Sequence, residues 1–167
     1  MTKLVLGAQS GDEGALSDLI EATQRELFRF TYYLCGNNQL AHDLCQDTFI
    51  KVLEGIGNLK EPHRFKSWLF TMAKNLYLDH NKSSKNKGHV SLDSSPDLES
   101  SEDKQKVMEI RQALSHLEAE ERIPLLLVDL EGHSYQEAAQ IIGISEDALR
   151  SRLHRARQTF SLKYKKS

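Results

Sequence analysis

Residues Gly132–Phe160 read GHSYQEAAQIIGISEDALRSRLHRARQTF, two short helical patterns separated by one glycine. Ser134 predicts a cap for the first helix, on which Tyr135, Ala138, Ala139 and Ile142 recur at helical spacing. Gly143 supplies the turn, because a left-handed backbone costs glycine little. Ser145 predicts the second cap, and Ala148, Leu149, Leu153 and Ala156 form the next buried stripe. Small side chains at Ala138 and Ala139 let the helices cross closely, as a DNA-reading helix-turn-helix requires. Arg150, Arg152, Arg155 and Arg157 fall mostly off the stripe, toward solvent or phosphate. An ordinary helical hairpin with a solvated basic face is the plainer reading of the same residues.

Outward from this stretch, helical periodicity continues and strand signals are almost absent. Val107, Ile110, Leu114 and Leu117 lead through Leu125, Leu126, Val128 and Leu130 into it, with Pro124 predicting a kink or a helix restart. Three more amphipathic helices are expected upstream. The first runs from about Asp12 to Cys35, with Leu16, Leu19, Ile20, Leu27 and Phe30 inside. The second runs from about Leu40 to Gly55, burying Leu44, Phe49, Val52 and Leu53. The third runs from about His63 to Lys82 on Phe65, Trp68, Leu69, Met72 and Leu76. Between these groups, Ser83 to Ser101 is serine-rich and nearly free of large apolar residues, which is linker chemistry. The expected fold class is all-α: a helical bundle over residues 1–82, a flexible acidic linker over 83–104, and a helix-turn-helix domain over 105–167.

The 167 residues carry a formal charge of −2 that conceals a strong segregation. Net charge is −4 over residues 1–57, +5 over 58–92, −8 over 93–140 and +5 over 141–167. Two basic blocks around an acidic one suggest two separate contacts with a polyanion. No apolar run is long enough to span a bilayer, and no secretory signal follows Met1, so a cytoplasmic protein without membrane insertion is expected. Cys35 and Cys45 stand outside any CxxC or Cys/His spacing and read as packing residues, so no metal or cofactor is expected.

The N-terminal half narrows the chemistry. Asp43, Gln46 and Asp47 lie near one another on one helix face, which suits either solvation or a docked protein. Arg64 to Asn75 interleaves cations, aromatics and an amide. Arg64, Lys66 and Lys74 can neutralise phosphate, Phe65 and Trp68 offer faces to unstacked bases, and Asn75 can hydrogen-bond a base edge. Core packing is the plainer role for Phe65 and Trp68. Lys82, Lys85 and Lys87 extend the positive surface.

The ordered set DLCQDTF (residues 43–49), RFKSWLFTMAKNLYLDH (64–80), a polar linker, then EGHSYQEAAQIIGISEDALRSRLHRAR (131–157) resembles the extracytoplasmic-function sigma factors of bacterial RNA polymerase. The resemblance runs from about Gly14 to Phe160. It implies a transcription initiation factor that binds core RNA polymerase and confers promoter recognition and opening, working as a monomer. It places Asp43, Gln46, Asp47 and Phe49 on the polymerase. Asn58, Lys60, His63 and Arg64 of the following loop, with Asn75, would hold a flipped base of the minus-ten element. Phe65, Lys66, Trp68 and Lys74 would support that strand. Tyr135, Gln136, Ser145, Arg150, Ser151, Arg152, His154, Arg155 and Arg157 would meet the minus-thirty-five element. Asp93, Asp97, Glu99, Glu102 and Asp103 would thread the polymerase cleft, and an anti-sigma partner is expected.

Major-groove arginines give this division physical sense, since each bidentate bond to guanine is worth about 1–3 kcal/mol of discrimination. No P-loop, G-x-S-x-G, HExxH or metal-ligand cluster points to an enzyme, and no catalytic residue is expected. A stand-alone helix-turn-helix regulator with a dimerising or sensing N-terminal bundle is the alternative. It shares residues 132–160 but gives no reason for DLCQDTF followed by SWLF and Asn75.

Overall fold

The computed structural model describes residues 1–84 and 101–165, and every regular element among them is helical. Eight α-helices follow in chain order: α1 (Thr2–Gln9), α2 (Glu13–Cys35), α3 (Asn38–Gly55), α4 (Phe65–Ser84), α5 (Ser101–Ser115), α6 (Ala119–Leu125), α7 (Tyr135–Ile142) and α8 (Glu146–Tyr164). Short 3-10 turns at Ile56–Asn58 and Pro62–Arg64 join α3 to α4. Lys85, Lys87, Asp93, Asp97 and Glu99 lie outside the described residues.

Helices α1 to α4 form the N-terminal module. The sequence pattern does not announce α1: only Val5 is buried from its eight residues. Its crossing with α2 is close, because a Cβ at Gly7 would fall 2.7 Å from the Ala15 side chain. Asp12 caps α2 by accepting from the Ala15 N–H at 3.1 Å, and Asn37 caps α3 by accepting from Leu40 at 2.7 Å. Leu19, Leu27 and Phe30 are buried as the periodicity predicts. Leu53 is not: half of its surface is exposed, since α3 turns Leu44, Thr48 and Val52 inward instead.

Helices α5 to α8 form the C-terminal module. Helix α5 starts at Ser101, six residues before Val107, the first residue of its expected stripe. Pro124 sits inside α6 and has no N–H to give to the preceding turn. The chain then widens into a π-turn at Leu126–Leu130, where Glu131 N–H reaches back five residues to the Leu126 carbonyl at 3.0 Å. The helical backbone thus runs through Pro124 without the expected restart, because the proline falls near the end of α6 and the wider π-turn follows it directly.

The two modules pack against each other. Phe70 of α4, 1% exposed, meets Phe30 edge-on at 5.1 Å and His133 at 4.8 Å, so one aromatic ring belongs to both halves. The C-terminal end of α2 is closed from the other module. Arg122 donates to the Leu34 carbonyl at 2.7 Å, Arg111 donates to the Gly36 carbonyl, and the Arg111 guanidinium lies 4.9 Å over the Tyr32 ring. Two cations at a helix C-terminus satisfy free carbonyls and oppose the helix dipole.

Candidate nucleic-acid interface

The helix-turn-helix forms as the local signals require. Ser134 accepts from Glu137 N–H at 3.1 Å while the Glu137 carboxylate accepts from Ser134 N–H at 2.9 Å, a reciprocal capping box. Gly143 adopts φ +83°, and Ser145 accepts from Ala148 N–H at 3.2 Å to start α8. Ala138 and Ala139 are buried at the crossing, together with Ile141, one position before the expected Ile142. Leu149, Leu153 and Ala156 form the buried stripe of α8.

The α8 arginines divide into two kinds. Arg150 is exposed, with its guanidinium 5.0 Å over the Tyr135 ring and 3.7 Å from Glu146. Ser151, His154 and Arg155 are exposed, Arg152 is half-buried, and Arg155 stands 3.8 Å from Glu121. Arg157 differs. It donates two bonds to the Asp129 carboxylate, at 2.9 and 2.7 Å, and a third to the Tyr135 hydroxyl at 3.2 Å. Bidentate pairing with Asp129 raises its pKa further. Its fork is therefore occupied by protein. Gln136 and Ser145 are exposed at the two helix starts.

The minus-ten candidates separate more widely. Gln9 of α1 donates to the Ile56 and Leu59 carbonyls at 2.9 and 2.8 Å, bracing the loop that carries exposed Asn58 and Lys60. No sequence signal marked Gln9 for this duty. His63 and Arg64 are exposed around Glu61, with Arg64 at 3.2 Å. A cleft of about 280 Å³ is lined by Leu59, Lys60, Glu61, Arg64, Ser67, Trp68 and Thr71, with Gln140 and Ile141 of α7 as its far wall. Trp68, Thr71 and exposed Asn75 share one face of α4, three and four residues apart.

Three candidates are held elsewhere. Phe65 is wholly buried in the core, as its plainer reading has it, and offers no face to a base. Lys66 pairs with Glu26 of α2 at 2.8 Å. Lys74 is 8% exposed and donates to the Ile141 carbonyl at 2.8 Å, and burial pushes its pKa down.

On α3, Asp43, Gln46 and Asp47 are exposed and Phe49 half-buried, with Gln39 donating to Asp43 at 3.0 Å. Ile50 and Leu53, 46% and 50% exposed, lie on the same face. They are the apolar half of a candidate docking surface. Counting three residues on from Asp47 reaches Ile50, and three more reach Leu53. Cys45, by contrast, packs beside Thr31 at 3.3 Å, and burial pushes its thiol up to about 11.

A helical module with an exposed acidic–apolar face, followed by a helix-turn-helix module with an exposed basic face, has the make-up of a DNA-binding factor. Two family models divide the chain the same way: sigma-70 region 2 matches residues 19–86 and sigma-70 region 4 matches residues 107–160. The chain belongs to the extracytoplasmic-function sigma factors of RNA polymerase. It is 30% identical over 162 residues to the sigma factor SigC of Mycobacterium tuberculosis, covering 94% of this chain and 87% of that one. It is 31% identical over 164 residues to SigE of Mycolicibacterium smegmatis, covering 89% of this chain but only 62% of that relative's length. The fold matches the sigma factor RpoE of Bartonella quintana, solved with its anti-sigma factor NepR. The TM-score is 0.77 at 25% identity, covering 89% of this chain and 96% of that one. A similar fold, with a TM-score of 0.76 at 22% identity, occurs in CnrH, solved with the cytosolic domain of CnrY. Membership favours the initiation factor over the stand-alone regulator. No helix among the described residues is long and apolar enough to cross a membrane.

Proposed function

We propose that this chain confers promoter recognition on a bacterial core RNA polymerase, with residues 1–82 acting as region two and 105–167 as region four. The serine-rich acidic segment between α4 and α5 joins them. The face of α3 carrying Asp43, Gln46, Asp47, Ile50 and Leu53 docks on the polymerase. The cleft between Lys60, Arg64 and Trp68 receives a minus-ten base, with Asn75 two turns along. Arg150, Ser151, His154 and Arg155 read the minus-thirty-five element. The observation that carries this reading is the exposed α8 face behind the Ser134–Glu137 box, in one chain with the α3 face.

Recognition by hydrogen bonds and charge requires no catalysis, cofactor or metal from this chain, and the work belongs in the cytoplasm where polymerase is. An anti-sigma partner is supported by the RpoE relative, which was solved with one.

Separation of the two modules is part of the proposal. Elements about 25 base pairs apart lie roughly 85 Å apart at 3.4 Å per step. The Lys74 amine lies 2.8 Å from the Ile141 carbonyl, so the closed arrangement cannot reach both elements. Engagement with the polymerase must part α4 from α7.

The test is run-off transcription with purified core polymerase. Gln46→Ala should weaken polymerase association, and Arg150→Ala should change minus-thirty-five preference while leaving that association intact. Binding of a symmetric operator by a dimer of the protein alone, without polymerase association, would overturn the reading.

A further inference from the structure

Tyr135 is the first residue of α7, and its side chain lies along α8 instead of pointing at solvent. Its ring underlies the Arg150 guanidinium at 5.0 Å, within the roughly 6 Å reach of a cation–π contact. Its hydroxyl accepts from Arg157 at 3.2 Å. Arg150 and Arg157 are seven residues apart, two turns and about 10.5 Å along the helix axis, so one tyrosine spans the distance between them. Arg157 is itself clamped on Asp129 by two short bonds. The ring is thus fixed at both ends, by the Ser134–Glu137 capping box at its backbone and by Arg157 at its hydroxyl.

We infer that Tyr135 is a positioning residue for minus-thirty-five specificity, aiming Arg150 at its base pair without touching a base. This rests on the assignment of Arg150 as a reader in the proposed function. A free arginine samples many rotamers, and freezing one on binding costs affinity for right and wrong bases alike. Arg150 is confined beforehand between the Tyr135 ring and Glu146 at 3.7 Å, yet its side chain stays 60% exposed and available. A supporting residue that restricts the reader's rotamers sharpens discrimination. The same network gives Arg157 an internal duty: it anchors Tyr135 while its own hydrogen-bonding fork is engaged by Asp129.

The experiment uses the full chain in holoenzyme, selected on a promoter library randomised over about ten base pairs around the minus-thirty-five position. Arg150→Ala identifies the base pair that Arg150 reads. Tyr135→Leu should lower preference at that same pair by about tenfold and leave the others nearly unchanged. Tyr135→Phe, which keeps the ring and loses the anchor, should lower it roughly two- to threefold. Tyr135→Leu combined with Arg150→Ala should match Arg150→Ala alone. Arg157→Met, which leaves the ring in place, should lower preference at the Arg150 pair too, and it decides the matter should Tyr135→Leu fail to fold. Loss spread evenly over all pairs, additive losses in the double variant, or an Arg157→Met effect at a different pair would overturn the inference. If Arg150→Ala changes no base preference, the reader assignment fails first and the inference with it.

Discussion

The Arg29 guanidinium holds the Glu131 carboxylate through two bonds, at 3.0 and 2.7 Å, joining α2 to the end of the π-turn across 102 residues of chain. The pair is asymmetric: the Arg29 side chain is 45% exposed and that of Glu131 1%. Burial pushes the Glu131 carboxyl up despite its partner. The arginine thus chiefly keeps a desolvated carboxylate tolerable.

Arg29→Ala should therefore destabilise the fold by about 1–3 kcal/mol near neutral pH, the cost of an unsatisfied buried group. A carboxyl whose folded pKa lies above its unfolded value loses stability as pH rises between the two. Removing Arg29 widens that interval. The penalty should be larger at pH 7 than at pH 5, and Arg29→Ala with Glu131→Gln should recover part of it. Urea denaturation at the two pH values measures both effects.

His133 provides a second pH dependence, of opposite sign. It is 9% exposed, edge-on to Phe70, and burial pushes its pKa down, only partly offset by Glu137 at 3.9 Å. Lys66 also lowers it and Glu26 raises it, both from the neighbouring module. The folded protein holds this imidazole neutral, whereas the unfolded chain protonates it near its ordinary value of 6.5. Stability is full above that value and falls as pH drops below it. His133→Gln should flatten the stability curve between pH 7.5 and 5.5, measured as the difference from the parent protein.

Lys74 tests the closed arrangement. Lys74→Met keeps the packing and removes a buried cation, so the compact form should persist. Lys74→Glu sets a carboxylate against the Ile141 carbonyl in a desolvated seam, a placement costing several kcal/mol. Small-angle scattering should show a larger radius of gyration for Lys74→Glu alone, with helix content retained. Equal radii for the two variants would contradict the seam's role.

Leu53→Ser addresses the docking face. Half-exposed and outside the core stripe of α3, Leu53 should tolerate the change within about 0.5 kcal/mol of stability. Affinity for core polymerase should fall severalfold, as with Gln46→Ala. A loss of stability with unchanged polymerase affinity would return Leu53 to the core.

Much of the helix-turn-helix was legible because its signals close within a few residues. Ser134, Gly143 and Ser145 act through bonds to positions three or four away, and the Ala138–Ala139 pair announces a close crossing. The three helices carrying DLCQDTF, SWLF and their core stripe were legible for a similar reason, since burial on a helix repeats with its period. Helix α1 was not, because a single buried valine leaves no period to read.

Residue chemistry and spacing thus determined that this chain is helical, that it carries two modules, and where its reading helix begins. Tertiary packing decided the rest. It turned Leu53 outward, buried Phe70 and Lys74 beneath the second module, and gave Arg157 to Asp129 and Tyr135. The physical reason is range. A cap or a turn is an agreement between neighbours along the chain. Whether an apolar or charged side chain meets solvent or a distant helix depends on which surfaces dock, and helical periodicity reads the same in both cases.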